Sequence, residues 1–139
     1  MASYTTNLNL KKPAGSENVA IGDINNNMDL IDSAYGLLNS KIAKTVTWNQ
    51  SITVTPTNPL YKKANSCFLS LRFNTTAAIA AWELIGTVPS DCYPSNIVFM
   101  PIIKGGNGYL QIGADGKIYS SVALTNNTEY YIANSVWFV

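Results

Sequence analysis

The sequence predicts a mainly β protein, in which a short arm and one helix precede an antiparallel β-sandwich head of jelly-roll-like type. Two observations carry that prediction. Ile24, Met28, Ile31, Tyr35, Leu38 and Ile42 recur at spacings of four, three, four, three and four, the interval of one helix face. From residue 45 to residue 139 the period changes to two, and β-branched and aromatic residues alternate with polar ones between Gly, Pro and Asn turns.

With 139 residues and 47% hydrophobic content the chain can bury one moderate core. Charged residues make up only 12% and the net charge is +1, so there is no basic field to hold nucleic acid. The polar surface is instead rich in Asn, Ser and Thr, which hydrogen-bond without steering by charge. The N-terminal residues carry no signal-like apolar run, and no segment approaches ~18 uninterrupted apolar residues. A chain made in a cytoplasm and not inserted in a membrane is expected. Cys67 and Cys92 have neither C-x-x-C spacing nor a companion His, which leaves two idle buried thiols or a disulfide.

Residues 1–22 lack a period and contain the breaker run Lys11-Lys12-Pro13-Ala14-Gly15-Ser16, which predicts an extended arm without helix or long strand. Leu8, Leu10, Val19 and Ile21 give that arm apolar anchors for docking on a larger assembly. A helix is expected over 23–44, with Asp23 as N-cap, Asp29 and Asp32 in its N-terminal half and Lys41 and Lys44 in its last turns, the order the helix dipole favours. It would be ~30 Å long. Gly36 in its interior costs roughly 1 kcal/mol against Ala, a loss that packing must offset. The apolar residues fit a coiled-coil seam, with Ile24, Ile31 and Leu38 at d and Met28, Tyr35 and Ile42 at a, a mixture that leans away from dimers. They also fit an amphipathic helix lying on the β core of its own chain.

About eight strands follow: 45–48, 51–55, 67–73, 80–85, 97–104, 109–113, 117–121 and 130–139. Asp115-Gly116 and Asn107-Gly108 read as type I′ hairpin turns, and Pro56, Pro59, Pro89, Pro94 and Pro101 mark strand ends or edges.

Leu8-Asn9-Leu10-Lys11-Lys12-Pro13, followed by Val19-Ala20-Ile21-Gly22-Asp23-Ile24-Asn25-Asn26-Asn27-Met28-Asp29-Leu30-Ile31-Asp32, resembles the N-terminal motif of bacteriophage tail-fibre and baseplate receptor-binding proteins. Gly86-Thr87-Val88-Pro89, Tyr93-Pro94 and Gly113-Ala114-Asp115-Gly116-Lys117-Ile118 are similar to the small β heads at the tips of such fibres. The resemblance implies a homotrimer held by the 23–44 seam and attached through residues 1–22 to other tail or baseplate proteins of a virion or tail-like particle. It also implies a head, residues 45–139, that recognises a host cell-surface polysaccharide. This chain departs from long fibres in having almost no shaft between helix and head.

Saccharide recognition asks for exposed ring faces beside amide and hydroxyl groups. Tyr93, Tyr109 and Tyr119, at or near turns among Asn96, Asn107, Gln111 and Asp91, are the candidates. Arg72, the one arginine, could clamp a phosphate or uronate, and could equally be a solvated strand residue or a trimer contact. Trp48, Trp82 and Trp137 fall inside alternating segments, where core is the expected fate. No catalytic residue, cofactor or metal site is expected. The chain has no His and so no Ser-His-Asp or Cys-His arrangement, and no Asp/Asn-rich calcium loop. A depolymerase needs only two carboxylates, but Asp91, Asp115, Glu83 and Glu129 are the head's only acids and Asp115 belongs to a hairpin. A purely structural tail component is the other competing reading.

Overall fold

The computed structural model describes residues 3–15, 18–54 and 60–139, in two compact units, Met1–Ser40 and Lys41–Val139. Ser16 of the breaker run, the expected strand end at Thr55, and Pro56 and Pro59 lie outside the described residues.

In the first unit the expected extended arm instead folds on itself. Strands β1 (Ser3–Tyr4) and β2 (Lys11–Lys12) pair antiparallel, with Ser3 opposite Lys12. The Thr5 N–H donates to the Leu10 carbonyl at 2.9 Å, and the Leu10 N–H donates to Thr5 Oγ1 at 2.8 Å. Asn9 supplies the left-handed residue of the turn at φ 52°, a conformation that Asn tolerates.

Helix α1 spans Ile21–Asn39, two residues earlier at its start than expected and five shorter at its end. Ala20, not Asp23, is the N-cap, because Asp23 lies in the first turn with its carboxylate 2.6 Å from Lys11 Nζ. Asn27 grips the same residue by its backbone, accepting the Lys11 N–H at 2.9 Å and donating to the Lys11 carbonyl at 3.0 Å. The Asp and Asn of the helical motif thus fasten the arm to the helix. At the other end Ser40 is extended, its N–H donating to the Gly36 carbonyl and its hydroxyl to the Leu37 carbonyl, while the Asn39 amide donates to the Tyr35 carbonyl. These bonds satisfy the Gly36 and Leu37 carbonyls, two of the orphan carbonyls of the last turn. Ile42 therefore leaves the expected seam and joins strand β3 (Ile42–Lys44), where it pairs with Lys62. Lys41 and Lys44 likewise fall beyond the helix. None of the helix's residues is buried. No helix among the described residues is long and apolar enough to cross a membrane.

The second unit contains β3 and nine further strands: β4 (Thr47–Trp48), β5 (Ile52–Val54), β6 (Leu60–Lys63), β7 (Ser66–Thr75), β8 (Leu84–Thr87), β9 (Val98–Lys104), β10 (Tyr109–Ile112), β11 (Lys117–Ser120) and β12 (Glu129–Phe138). Every pairing is antiparallel, in the order β3-β6-β7-β12-β9-β10-β11-β8-β4 with β5 added to β7. Two facing sheets were expected; the ladders instead form one curled sheet, because β9 bonds both β12 and β10. Curling wraps a single core. Along β7 Cys67, Leu69, Leu71, Phe73 and Thr75 point inward, and Phe68, Ser70, Arg72 and Asn74 outward, the two-residue period of a half-buried strand.

On β12 Tyr130 and Ile132 face inward, and a bulge between Ile132 and Ser135 changes the phase so that Trp137 is buried while Val136 and Phe138 are exposed. Tyr130 stacks on Phe73 with centroids 5.2 Å apart, and its hydroxyl accepts the Thr125 N–H at 2.7 Å. Trp137 donates its indole N–H to the Cys92 carbonyl at 2.9 Å. Cys67 and Cys92 are free and buried, and burial pushes the Cys92 thiol up to about 12. The β10–β11 hairpin forms where Asp115-Gly116 placed it, but not with a type I′ turn. Only Gly116 has positive φ (76°), and the Gly116 N–H donates to the Gly113 carbonyl at 2.9 Å. This is a type I turn followed by a left-handed glycine. Asn107 likewise lacks the positive φ that a I′ turn needs, so the β9–β10 connection is also of another type.

Candidate functional site

The outer face of β8, β9, β10 and β11 is built by subtraction. Met100, Leu110, Ile112, Ile118, Ser120 and Ile85 turn into the core, and alternation sends their neighbours out. Register then aligns Phe99, Gln111, Tyr119 and Leu84 in one row across four strands, with Pro101 and Tyr109 paired beside it. Phe99 meets Tyr109 edge-on at 5.1 Å.

Trp82 completes the cluster. Trp82 is 53% exposed, and its ring stands edge-on to that of Tyr109 at 6.2 Å. The expected 80–85 strand does not begin until Leu84, and Trp82 sits in the preceding turn at φ 63°, a left-handed conformation that a bulky residue adopts only under constraint. The constraint is visible. The Trp82 N–H donates to the Ser120 carbonyl at 2.7 Å, and Glu83 accepts the Ala80 N–H at 3.0 Å on its carboxylate. Just upstream, Ile79 bridges Leu124 in both directions, at 3.0 and 2.8 Å. A shallow recess of about 390 Å³, lined by Ala78, Ile79, Ala80, Ala123, Leu124 and Thr125, opens at this bridge. Thus the core position expected for Trp82 is corrected to an exposed, anchored one. Trp48 is half-buried against Gly86.

Of the expected ligand-binding residues, Tyr109, Gln111 and Tyr119 come together on this face, and Asn107 is exposed in the turn ahead of Tyr109. The others go elsewhere. Tyr93 packs its ring on Gly116 at the β10–β11 turn, and Asn96 is exposed ahead of β9. Asp91 is held by Lys44 at 2.6 Å and Lys62 at 3.5 Å, and the bond to Lys44 lowers its pKa.

Arg72 lies on the outer face of β7-β12-β9. It bonds Glu129 through Nε at 2.7 Å and through its terminal nitrogen, and Lys104 reaches the other carboxylate oxygen at 3.0 Å. Arg72 and Lys104 also lie over the Tyr131 ring, 4.9 and 4.6 Å from its centroid. Arg72 first and Lys104 second hold Glu129 down to about 2. Asp115 is paired to Lys117 at 3.0 Å, which lowers its pKa. Among the described residues no three His, Cys, Asp or Glu side chains gather where they could hold a metal.

Trp82 and Phe99 escaped the sequence reading. For Trp82 a signal existed: Ala77-Ala78-Ile79-Ala80-Ala81 before it is too poor in bulky alternating residues to make a strand. Phe99 had none, because Ile97, Phe99 and Ile103 compete on equal terms with Val98, Met100 and Ile102 for the inner face.

No protein-family model matches the chain, and no curated protein matches it. Among solved structures the chain is similar to the crystal structure of the receptor binding protein gp15 of Listeria phage PSA, with 14% identity and a TM-score of 0.56, covering 88% of this chain and 80% of that chain. At that identity the likeness is one of fold.

Proposed function

We propose that this protein is a receptor-binding component of a phage or phage-tail-like particle, which attaches to a host cell-surface saccharide through the outer face of β8–β11. The observation that carries this reading is Trp82: an exposed indole held in a costly backbone conformation, beside Tyr109, Phe99 and Gln111. Exposed rings supply stacking surfaces for a sugar's C–H face, and the Gln111 amide and the tyrosine hydroxyls supply hydrogen bonds. The N-terminal motif and the fold shared with a phage receptor binding protein support placement on a virion.

The protein is read as a non-enzyme. Glu129, Asp91 and Asp115 are each charge-paired and shifted downward, the opposite of what a general acid needs. The homotrimer is part of the same proposal. Ile24, Met28, Ile31, Tyr35 and Leu38 remain exposed along one side of α1, while the arm is fastened at Asp23 and Asn27, which leaves the seam for other copies. Three weak sites on one particle gain avidity by effective concentration.

One observation favours the structural reading instead. Tyr61, Phe68 and Val136 align across β6, β7 and β12, and with Phe138 they expose an apolar patch suited to another protein. Binding of the intact protein to wall polysaccharides from a panel of bacteria separates the two. Attachment is expected to be saturable and weakened at least tenfold by Trp82→Ala; no retention on any wall, together with loss of particle assembly in Val136→Asp, would establish the structural role.

A further inference from the structure

Resting on that saccharide reading, we infer that the face around Trp82 recognises an uncharged glycan surface, and takes no part of its affinity from phosphate or carboxylate groups of the ligand. None of Trp82, Phe99, Tyr109, Gln111, Tyr119 and Leu84 is charged. Among the cations of Lys41–Val139, Lys41 and Lys63 stand ahead of β3 and on β6, away from this face, and the other five are charge-paired. Lys44 and Lys62 hold Asp91, Arg72 and Lys104 hold Glu129, and Lys117 holds Asp115.

A polyanion gains affinity where cations are free to neutralise it and release counterions. Here it would first have to displace a carboxylate from each pair. The second aromatic candidate on the head makes the same point from the other side. Tyr131 has Arg72 and Lys104 over its ring, so that ring is already engaged by cations, whereas Trp82 meets its aromatic neighbour edge-on and stays half exposed. The unpaired rings lie on β8–β11 with the turn before β8, and the cation that shares their face, Lys117 on β11, is already paired to Asp115 at 3.0 Å.

The test uses the full chain and wall polysaccharides separated by anion exchange into uncharged and anionic pools, measured in 50 and 500 mM NaCl. A polymer from either pool should bind with Kd changing less than about twofold between the two salts. Its binding should weaken at least tenfold in Trp82→Ala and remain in Arg72→Ala. Phe99→Ser, at an exposed strand position, gives the same readout without touching the Trp82 turn. Binding confined to the anionic pool, weakened more than tenfold by salt and lost in Arg72→Ala, overturns the inference while leaving a saccharide receptor in place. Retention of neither pool overturns the inference and the saccharide reading together.

Discussion

The helix Ile21–Asn39 and the strand Ser66–Thr75 are both studded with large apolar residues, yet the helix buries none of its side chains while the strand buries alternate ones from Cys67 to Thr75. The strand lies inside a sheet that curls around it, so its inner face meets Ile85, Met100, Leu110, Ile118 and Tyr130 in one core. Among the described residues of its own unit the helix has a two-stranded hairpin beside it, fastened by hydrogen bonds and an ion pair. One region completes its hydrophobic burial within a single chain. The other holds an exposed apolar face on a helix of 19 residues, the face that the proposed trimer would cover.

The strongest way to break this contrast is to remove the face. Ile31→Asp with Leu38→Asp should reduce the particle from about three chain masses to about one by light scattering, with the head's near-ultraviolet circular dichroism unchanged. A parent that is monomeric at micromolar concentration would show that the helix needs no copies of itself. In the head the reverse is expected. Phe73→Ala leaves a cavity under Tyr130 and should cost ~3–5 kcal/mol in urea unfolding, without altering the mass of folded material.

Trp82 sharpens the comparison, since it is the head residue that most resembles the helix seam in being apolar, exposed and costly. Trp82→Gly and Trp82→Ala both remove the ring, but only glycine relieves the left-handed backbone. The glycine variant should therefore be the more stable by about 1 kcal/mol, and both should lose binding alike.

The smallest effect concerns the Arg72–Glu129–Lys104 brace. Glu129 falls from an ordinary 4.5 to about 2 in the fold, so its stabilisation is complete above pH 4.5 and disappears as pH falls through about 2. The melting temperature of the parent should exceed that of Glu129→Gln at pH 7, and the gap should close across that window.

Much of the fold was legible because alternation is a local property. The segments at 51–55, 67–73, 97–104, 109–113, 117–121 and 130–139 all contain strands, since each carries its own two-residue period or a turn that bounds it. Two strands of the second unit were not legible. Ile42–Lys44 continues the helical spacing by chance, and its fate is decided by pairing with Leu60–Lys63 and by the Lys44–Asp91 ion pair, neither of which a local period contains. Leu60–Lys63 itself is too short to show a period.

The candidate site divides the same way. Local pattern and composition were enough to establish a mainly β chain with a helix before it, the lack of any histidine chemistry, and a gathering of tyrosines and amides near the β10–β11 hairpin. Only the tertiary structure decided which rings face solvent. Facing depends on strand phase, and in β9 and β12, where both faces are apolar, phase is set by the register with neighbours and by the bulge between Ile132 and Ser135. The position of Trp82 depends further on the Ser120 carbonyl, 38 residues along the chain, which holds its N–H at 2.7 Å and brings the indole beside Tyr109. A hydrogen bond between distant residues leaves no trace in the local pattern, and so the residue that carries the proposed function was the one the sequence placed in the core.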